Sequence, residues 1–408
     1  MLVKDNFKKF ILLWFGELIS SVGGGLTSFG LGVYIFQKTG SASSMALITL
    51  LGFIPTLLLS VPAGVLADKY DRRLLMIIGD GLSAFGVLFI FICMLTGGAS
   101  LFQICIGVFI SAIFSSLLEP SYRATITDLL TKEEFSKASG LVSLAGSSRY
   151  LLSPIIAGFI LSVSSINTIL IIDICTFFLT ITTTLIVRKN IEIKKTNDNQ
   201  KFFSSLKEGW DTIRSKKGIF TLVLISSVIT LFMGAFQILV EPLVLSFTSS
   251  KVLGITETIC ACGMLVSGIV LGIFGIKKNY VKVLSIALAL AGLFIFGFGL
   301  FENIIPITIF GFLFFAMLPF ANNSLDYLTR TNIPDELQGR VWGLIGFISQ
   351  LGYVVAYAIS GVLADVLGGL VGSVGRGSAI VIEISGLLLL IISVFIPKFK
   401  SLKNIETK

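Results

Sequence analysis

Glu17 and Arg149 are charged side chains set inside long apolar stretches, and they are the first candidates for chemistry. An ionisable group in a lipid-spanning helix costs at least ~2.5 kcal/mol on insertion scales, so its presence needs a compensating role. Glu17 shares one helical face with Ser20, Ser21, Gly24, Thr27 and Ser28, spaced three and four residues apart. A polar stripe on an apolar helix is expected to face water, where a carboxylate can take up and release protons. The alternative is a carboxylate simply bonded to a neighbouring helix. Arg149 needs an acid as partner, and Glu17, Asp80 and Glu119 are available on neighbouring stretches. A Glu17–Arg149 pair that opens on protonation and a permanent structural pair both fit. The chain has no His, so proton chemistry falls to carboxylates.

A second constellation is the charged clasp from Gly64 to Arg73, between the apolar runs Met45 to Leu66 and Leu74 to Thr96. Gly64 is expected to allow close approach of the two helices. Asp68 stands at a helix end, where it could cap the start of the helix near Arg340 to Gly343 through its positive dipole end. Arg72 could pair with an acid such as Asp128, and Arg73 follows. A loop that only sets topology is the plainer alternative. Asp80 and Glu119 lie near helix ends, which favours solvated or gate-pairing roles over proton coupling.

Further polar faces recur in the second half. Gln237 and Glu241 share one face of a run, Asn322, Asn323 and Asp326 another, and Gln350, Tyr353 and Tyr357 a third. Glu241, just before Pro242, is expected at an extracellular gate. Asp173 and Glu383 are read as structural.

These side chains must be carried by membrane helices. The chain is 54% hydrophobic and only 13% charged, with a mean hydropathy of +0.96. Twelve apolar runs are long enough to span a bilayer: 10–36, 42–66, 74–96, 101–122, 139–162, 165–187, 219–247, 254–276, 281–301, 304–326, 341–365 and 378–397. With both termini in the cytoplasm, 27 of the 31 Lys and Arg residues fall on the inside, counting Lys282 at the inner end of its run. The net charge of +8 is thus a topology signal, and nucleic acid is not an expected partner. The first run, after Lys4, Lys8 and Lys9, is too long for a signal peptide and is kept as a mature helix. The five cysteines all fall in apolar runs and are read as buried thiols.

The segments are a bundle over 1–190, a linker over 191–218 and a bundle over 219–408. Phe202, Phe203, Leu206, Trp210 and Ile213 recur at helical spacing in the linker, predicting an amphipathic helix at the interface. The halves also echo each other: Glu133, Gly140 and Leu141 fall on Glu336, Gly343 and Leu344 at one constant offset. Such parallel repeats are a transporter architecture.

On these residues the chain resembles the major facilitator superfamily, and within it the macrolide-efflux branch of the drug:proton antiporters. Gly64, Asp68, Lys69, Arg72 and Arg73 match the superfamily signature, with Asp71 in place of its second glycine. Glu119-Pro120-Ser121-Tyr122-Arg123 and Ile333-Pro334-Asp335-Glu336-Leu337-Gln338-Gly339-Arg340-Val341 look like the branch. The span from Leu101 to Leu118 lacks the basic residue of other drug exporters. Only Ser153-Pro154 and Ala157-Gly158 remain of the antiporter motif, with Arg149 in place of a glycine.

The resemblance implies an all-α integral membrane protein of twelve helices in two six-helix bundles. It would export amphipathic, macrolide-like or cationic compounds across the cell membrane in exchange for protons. Glu17 and Arg149 would couple protons. Glu17, Ser20, Ser21, Gly24, Gln237, Asn322, Asn323, Gln350 and Tyr353 would line the cavity. Gly64, Asp68, Arg72, Arg73 and Asp128 would form the cytoplasmic gate. A small-molecule substrate, protons and membrane lipid are the expected partners of a monomer that needs no cofactor or metal and is not an enzyme. The alternative is an exporter or facilitator for one endogenous metabolite, peptide or lipid.

Overall fold

The computed structural model describes residues 2–188, 202–334 and 337–406. The polar start of the linker, Asp335 and Glu336 lie outside them, as do the side chains of Glu133, Phe202, Phe203, Leu206 and Arg340. The described residues form α-helices and no strand, and twelve helical segments are long and apolar enough to cross a membrane.

The order is α1 (Leu2–Thr39), α2 (Ala42–Lys69), α3 (Arg72–Leu95), α4 (Leu101–Ser115), α5 (Leu118–Leu129), α6 (Lys132–Leu151), α7 (Ser153–Val163) and α8 (Ile166–Arg188). After these come α9 (Phe202–Ser215), α10 (Lys217–Leu245), α11 (Ser250–Phe274), α12 (Tyr280–Gly299), α13 (Ile304–Arg330), α14 (Gln338–Val371), α15 (Val374–Phe395) and α16 (Lys400–Glu406). Two runs expected as single helices are broken. Between α4 and α5 the chain turns at Ser116 and Leu117, because Pro120 has no N–H to donate to the Ser116 carbonyl. Between α6 and α7 it turns at Leu152, two residues before Pro154.

The chain forms two compact units. The first comprises Met1–Thr39, Leu47–Asp198 and Ser249–Ile255; the second comprises Gly40–Ala46, Asn199–Thr248 and Thr256–Lys408.

In the first unit α1 lies against α8 along Gly16, Gly23 and Gly30. A Cβ on Gly23 would stand 2.6 Å from the Thr176 hydroxyl and 2.8 Å from Asp173 Oδ1, so only glycine permits this approach. Gly86 and Gly107 bring α3 and α4 together in the same way. A core cluster at one end joins Phe10 and Leu13 of α1, Met76 of α3, Tyr122 and Ile126 of α5 and Val187 of α8.

In the second unit Gly234 of α10 packs on Tyr353 and Ala356 of α14, and Gly292 of α12 meets Gly386 of α15. Phe236 stacks edge-on to Phe298 with ring centroids 4.8 Å apart. Helix α9 docks through Ile213, fully buried with Ile219, Val223, Ile333, Val341 and Ile345, while Trp210 on the same helix stays 40% exposed.

Candidate functional site

The α2–α3 turn is built by four helices of the first unit. Arg72 Nη1 lies 2.7 Å from Asp128 Oδ1 of α5 and donates to the Ala124 carbonyl at 3.0 Å. Its Nε donates to Ala67 O at 3.1 Å, satisfying a carbonyl at the end of α2. Arg73 is buried and reaches Asp128 Oδ2 at 3.5 Å. Asp68 is largely exposed and stands 3.8 Å from Arg72. Asp71, where the signature has glycine, caps α3 by accepting from Arg73 N at 3.1 Å. Its second oxygen takes Arg188 Nε of α8 at 2.7 Å. Sequence reading missed this pair, because Arg188 is remote in the chain and looked like a topology charge. Gly64 does not perform the close approach expected of it: its Cβ position meets nothing within 4 Å, and the turn comes at Tyr70 and Asp71.

Glu17 and the polar face of α1 come apart in an instructive way. Glu17, Ser20, Ser21 and Gly24 are half-buried and Ser28 is exposed. A Cβ on Gly24 would meet nothing within 4 Å, whereas Gly23 and Gly25 are closed by neighbours. This face therefore looks into open space. Thr27 does not belong to it. At 100° per residue it turns toward the Gly16–Gly23 seam, and its hydroxyl donates to Asp173 Oδ2 at 2.6 Å.

Arg149 does not pair with Glu17, and no ion pair within 4.0 Å joins them. The Arg149 side chain is exposed, its stem lies against Gly25, and its charge acts on Asp173. Asp80, expected near solvent, is 3% exposed, and Glu17, Thr180 and Asp173 lie within its electrostatic reach. Glu119 is exposed and pairs with Arg123 at 2.8 Å.

The second unit holds its own polar group. Tyr357 Oη donates to Gln237 Oε1 at 2.8 Å, and the Tyr353 ring lies 5.7 Å from that of Tyr357. Asn322, Asn323 and Gln350 are exposed. Glu241 is half-buried, its Oε2 has no hydrogen-bond partner, and Glu257 of α11 is its charged neighbour. Glu257 went unremarked in sequence, although a carboxylate within the run 254–276 was itself a signal. Asp365 of α14 was missed as well: it accepts from Ala42 N at 2.8 Å, Ser43 N at 3.0 Å and Ser41 Oγ at 2.7 Å. Glu383 pairs with Arg376 at 3.3 Å. Of the cysteines, Cys93, Cys105 and Cys260 are buried, but Cys175 is exposed, since its position on α8 turns away from the α1 seam.

Twelve apolar spans with helix-packing glycines and polar faces on several of them are a transporter's construction. The family model described as Major Facilitator Superfamily matches residues 13–357. The chain belongs to that family. It is a multi-pass membrane transporter rather than an enzyme.

The chain is 28% identical to Macrolide efflux protein A of Streptococcus pyogenes over 424 aligned positions, covering 99% of each protein. It is 30% identical over 331 positions to the protein of the same name from Enterococcus faecalis, covering 76% of this chain and 98% of that one. A bacterial homologue of the human lysosomal transporter Spinster superposes with a TM-score of 0.75 at 13% identity, covering 98% of each chain. At that identity the likeness concerns the fold.

Proposed function

We propose that this transporter exports amphipathic, macrolide-like or cationic compounds from the cytoplasm by alternating access, in exchange for protons, with both termini cytoplasmic. The observation that carries the reading is the open face of α1, where Glu17 stands beside Ser20, Ser21 and Gly24 and, among the described residues, has no ion pair to a Lys or Arg. A carboxylate so placed can meet a cationic or polar substrate and a proton alternately. The similarity to macrolide efflux proteins over almost the whole chain supports the substrate class. Gln237, Asn322, Asn323, Gln350 and Tyr353 contribute polar groups from the second unit, and Arg149 contributes a fixed positive charge in the first. The turn residues Gly64, Asp68, Arg72, Arg73 and Asp128 serve the cytoplasmic gate, and Glu241 the extracellular one. A proton moving inward releases about 2.3 kcal/mol per 100 mV of membrane potential.

The test is uptake of erythromycin and ethidium into inverted vesicles under an imposed pH gradient. Gradient-driven uptake should be lost in Glu17→Gln while binding of the same compounds persists. Transport in the wild type that ignores both pH and voltage would remove the antiport reading. Movement of neither compound would remove the substrate class.

A further inference from the structure

Glu17 of α1 is half-buried, and Asp80 of α3 lies deeper. The Thr180 side chain of α8 bridges the two helices. Its methyl lies 3.6 Å from the Cβ position of Gly16, and its hydroxyl, which donates to the Phe177 carbonyl at 2.9 Å, interacts with Asp80. Tyr122 of α5 closes the same place from one end. Its ring packs in one cluster with Leu13 and Met76, each one helical turn before Glu17 and Asp80. Tyr122 is only 5% exposed, its Oη has no hydrogen-bond partner, and it lies within electrostatic reach of Glu17. A buried hydroxyl is rarely left unpaired, so this one is available to a partner at the Glu17 end of the cluster.

The charged groups around this site are mostly acids. Asp80 feels Glu17 and Asp173; Glu17 feels Glu119, which is exposed and paired with Arg123. Arg149 acts on Asp173, which also holds the Thr27 hydroxyl. Among the described residues, the α4 side chains hydrogen-bonded to α3 are Ser111 and Ser115, both at Ser83. Among the described residues no Lys or Arg forms an ion pair with Glu17 or Asp80, and no three acids converge as metal ligands. Two carboxyls within electrostatic reach of each other, with neither paired to a described cation, can share one proton.

We propose that Glu17, Asp80 and Tyr122 form one proton-binding site within the first unit, with Asp80 rather than Arg149 as the partner of Glu17. The proton enters at Glu17 from the open face of α1. When it passes to Asp80, that carboxyl becomes neutral, Glu17 carries the charge, and the Tyr122 O–H donates to it. Return of the proton to Glu17 leaves the charge on Asp80, toward which the Thr180 hydroxyl turns from its backbone acceptor. Charge and protons balance in both arrangements. The inference deepens the proton-exchange reading above and gives it a second carboxyl.

The test is an infrared pH titration of the protonated-carboxyl band, using the full chain in lipid nanodiscs. Glu17→Gln and Asp80→Asn should each remove one component and move the midpoint of the one that remains by about one pH unit or more. Tyr122→Phe keeps the ring packing and should move the Glu17 component; it carries the test if Asp80→Asn fails to fold. Arg149→Gln should move it less than Asp80→Asn does. Components that stay put in all three site variants, or that respond more to Arg149→Gln, would overturn the site. The two readings fail separately. Coupled titration without gradient-driven transport removes antiport and keeps the site; gradient-driven transport with independent titration does the reverse.

Discussion

Asp71 departs from the superfamily signature, and its two contacts make the departure measurable. One oxygen caps α3 at Arg73 N, 3.1 Å away, and the other holds Arg188 Nε at 2.7 Å. The Asp71 side chain is 8% exposed and Arg188 is 38% exposed. A hydrogen bond to a charged group contributes about 1.5–3 kcal/mol when buried, but exposed pairs contribute only about 0.2–1 kcal/mol. With one partner sheltered and the other wet, a coupling of about 0.5–1.5 kcal/mol follows from these limits. Asp71→Asn keeps an acceptor for the cap and removes the charge, whereas Asp71→Gly removes both. Replacing a cap by glycine adds only a few tenths of a kcal/mol, so the two variants should lose similar stability. The assay is a double-mutant cycle with Arg188→Gln, read by reversible unfolding in mixed micelles. Additivity within about 0.3 kcal/mol would refute the argument, because independent sites behave that way.

Two further outcomes follow from the packing. Gly24→Ala should stabilise α1 by about 0.4–1 kcal/mol, since alanine restricts the unfolded chain and meets nothing at this site. Gly23→Ala should instead cost about 1–3 kcal/mol through overlap with Thr176 and Asp173. Thermal unfolding in detergent distinguishes the two, and equal effects would contradict the seam. Asp365→Ala removes three acceptor contacts from the first turn of α2. Hydrogen exchange at Ala42–Ser44 should then accelerate by about 2- to 30-fold, the range of a lost cap. Unchanged protection there would show that water replaces the carboxylate.

Much of the clasp was legible because its parts are close in sequence: Arg72, Arg73 and Asp71 follow one another, and Asp128 closes a short run of helices. What pairs with Asp71 was not legible. Arg188 is 117 residues away, and its identity as partner depends on which face of α8 meets α3. The polar face of α1 shows both sides. Glu17, Ser20, Ser21 and Gly24 stand together by helical periodicity alone, but the same counting admitted Thr27. A stripe is about as wide as the spread of its residues, and only the position of α8 decides where the open face ends. Arg149 misled for a related reason: charge need identifies that a partner is required, but not which of several acids the helix rotation presents.

Sequence alone determined the class, the number of spans and the places where charge enters the membrane. Those follow from local quantities, since a bilayer demands about twenty apolar residues per crossing and makes every exception costly. Tertiary structure decided that Asp80 is buried within electrostatic reach of Glu17, that the Tyr122 hydroxyl is left unpaired, and that Asp71 binds Arg188. Each depends on rotations and offsets of helices packed through glycine, and a single residue's step turns a side chain by 100°.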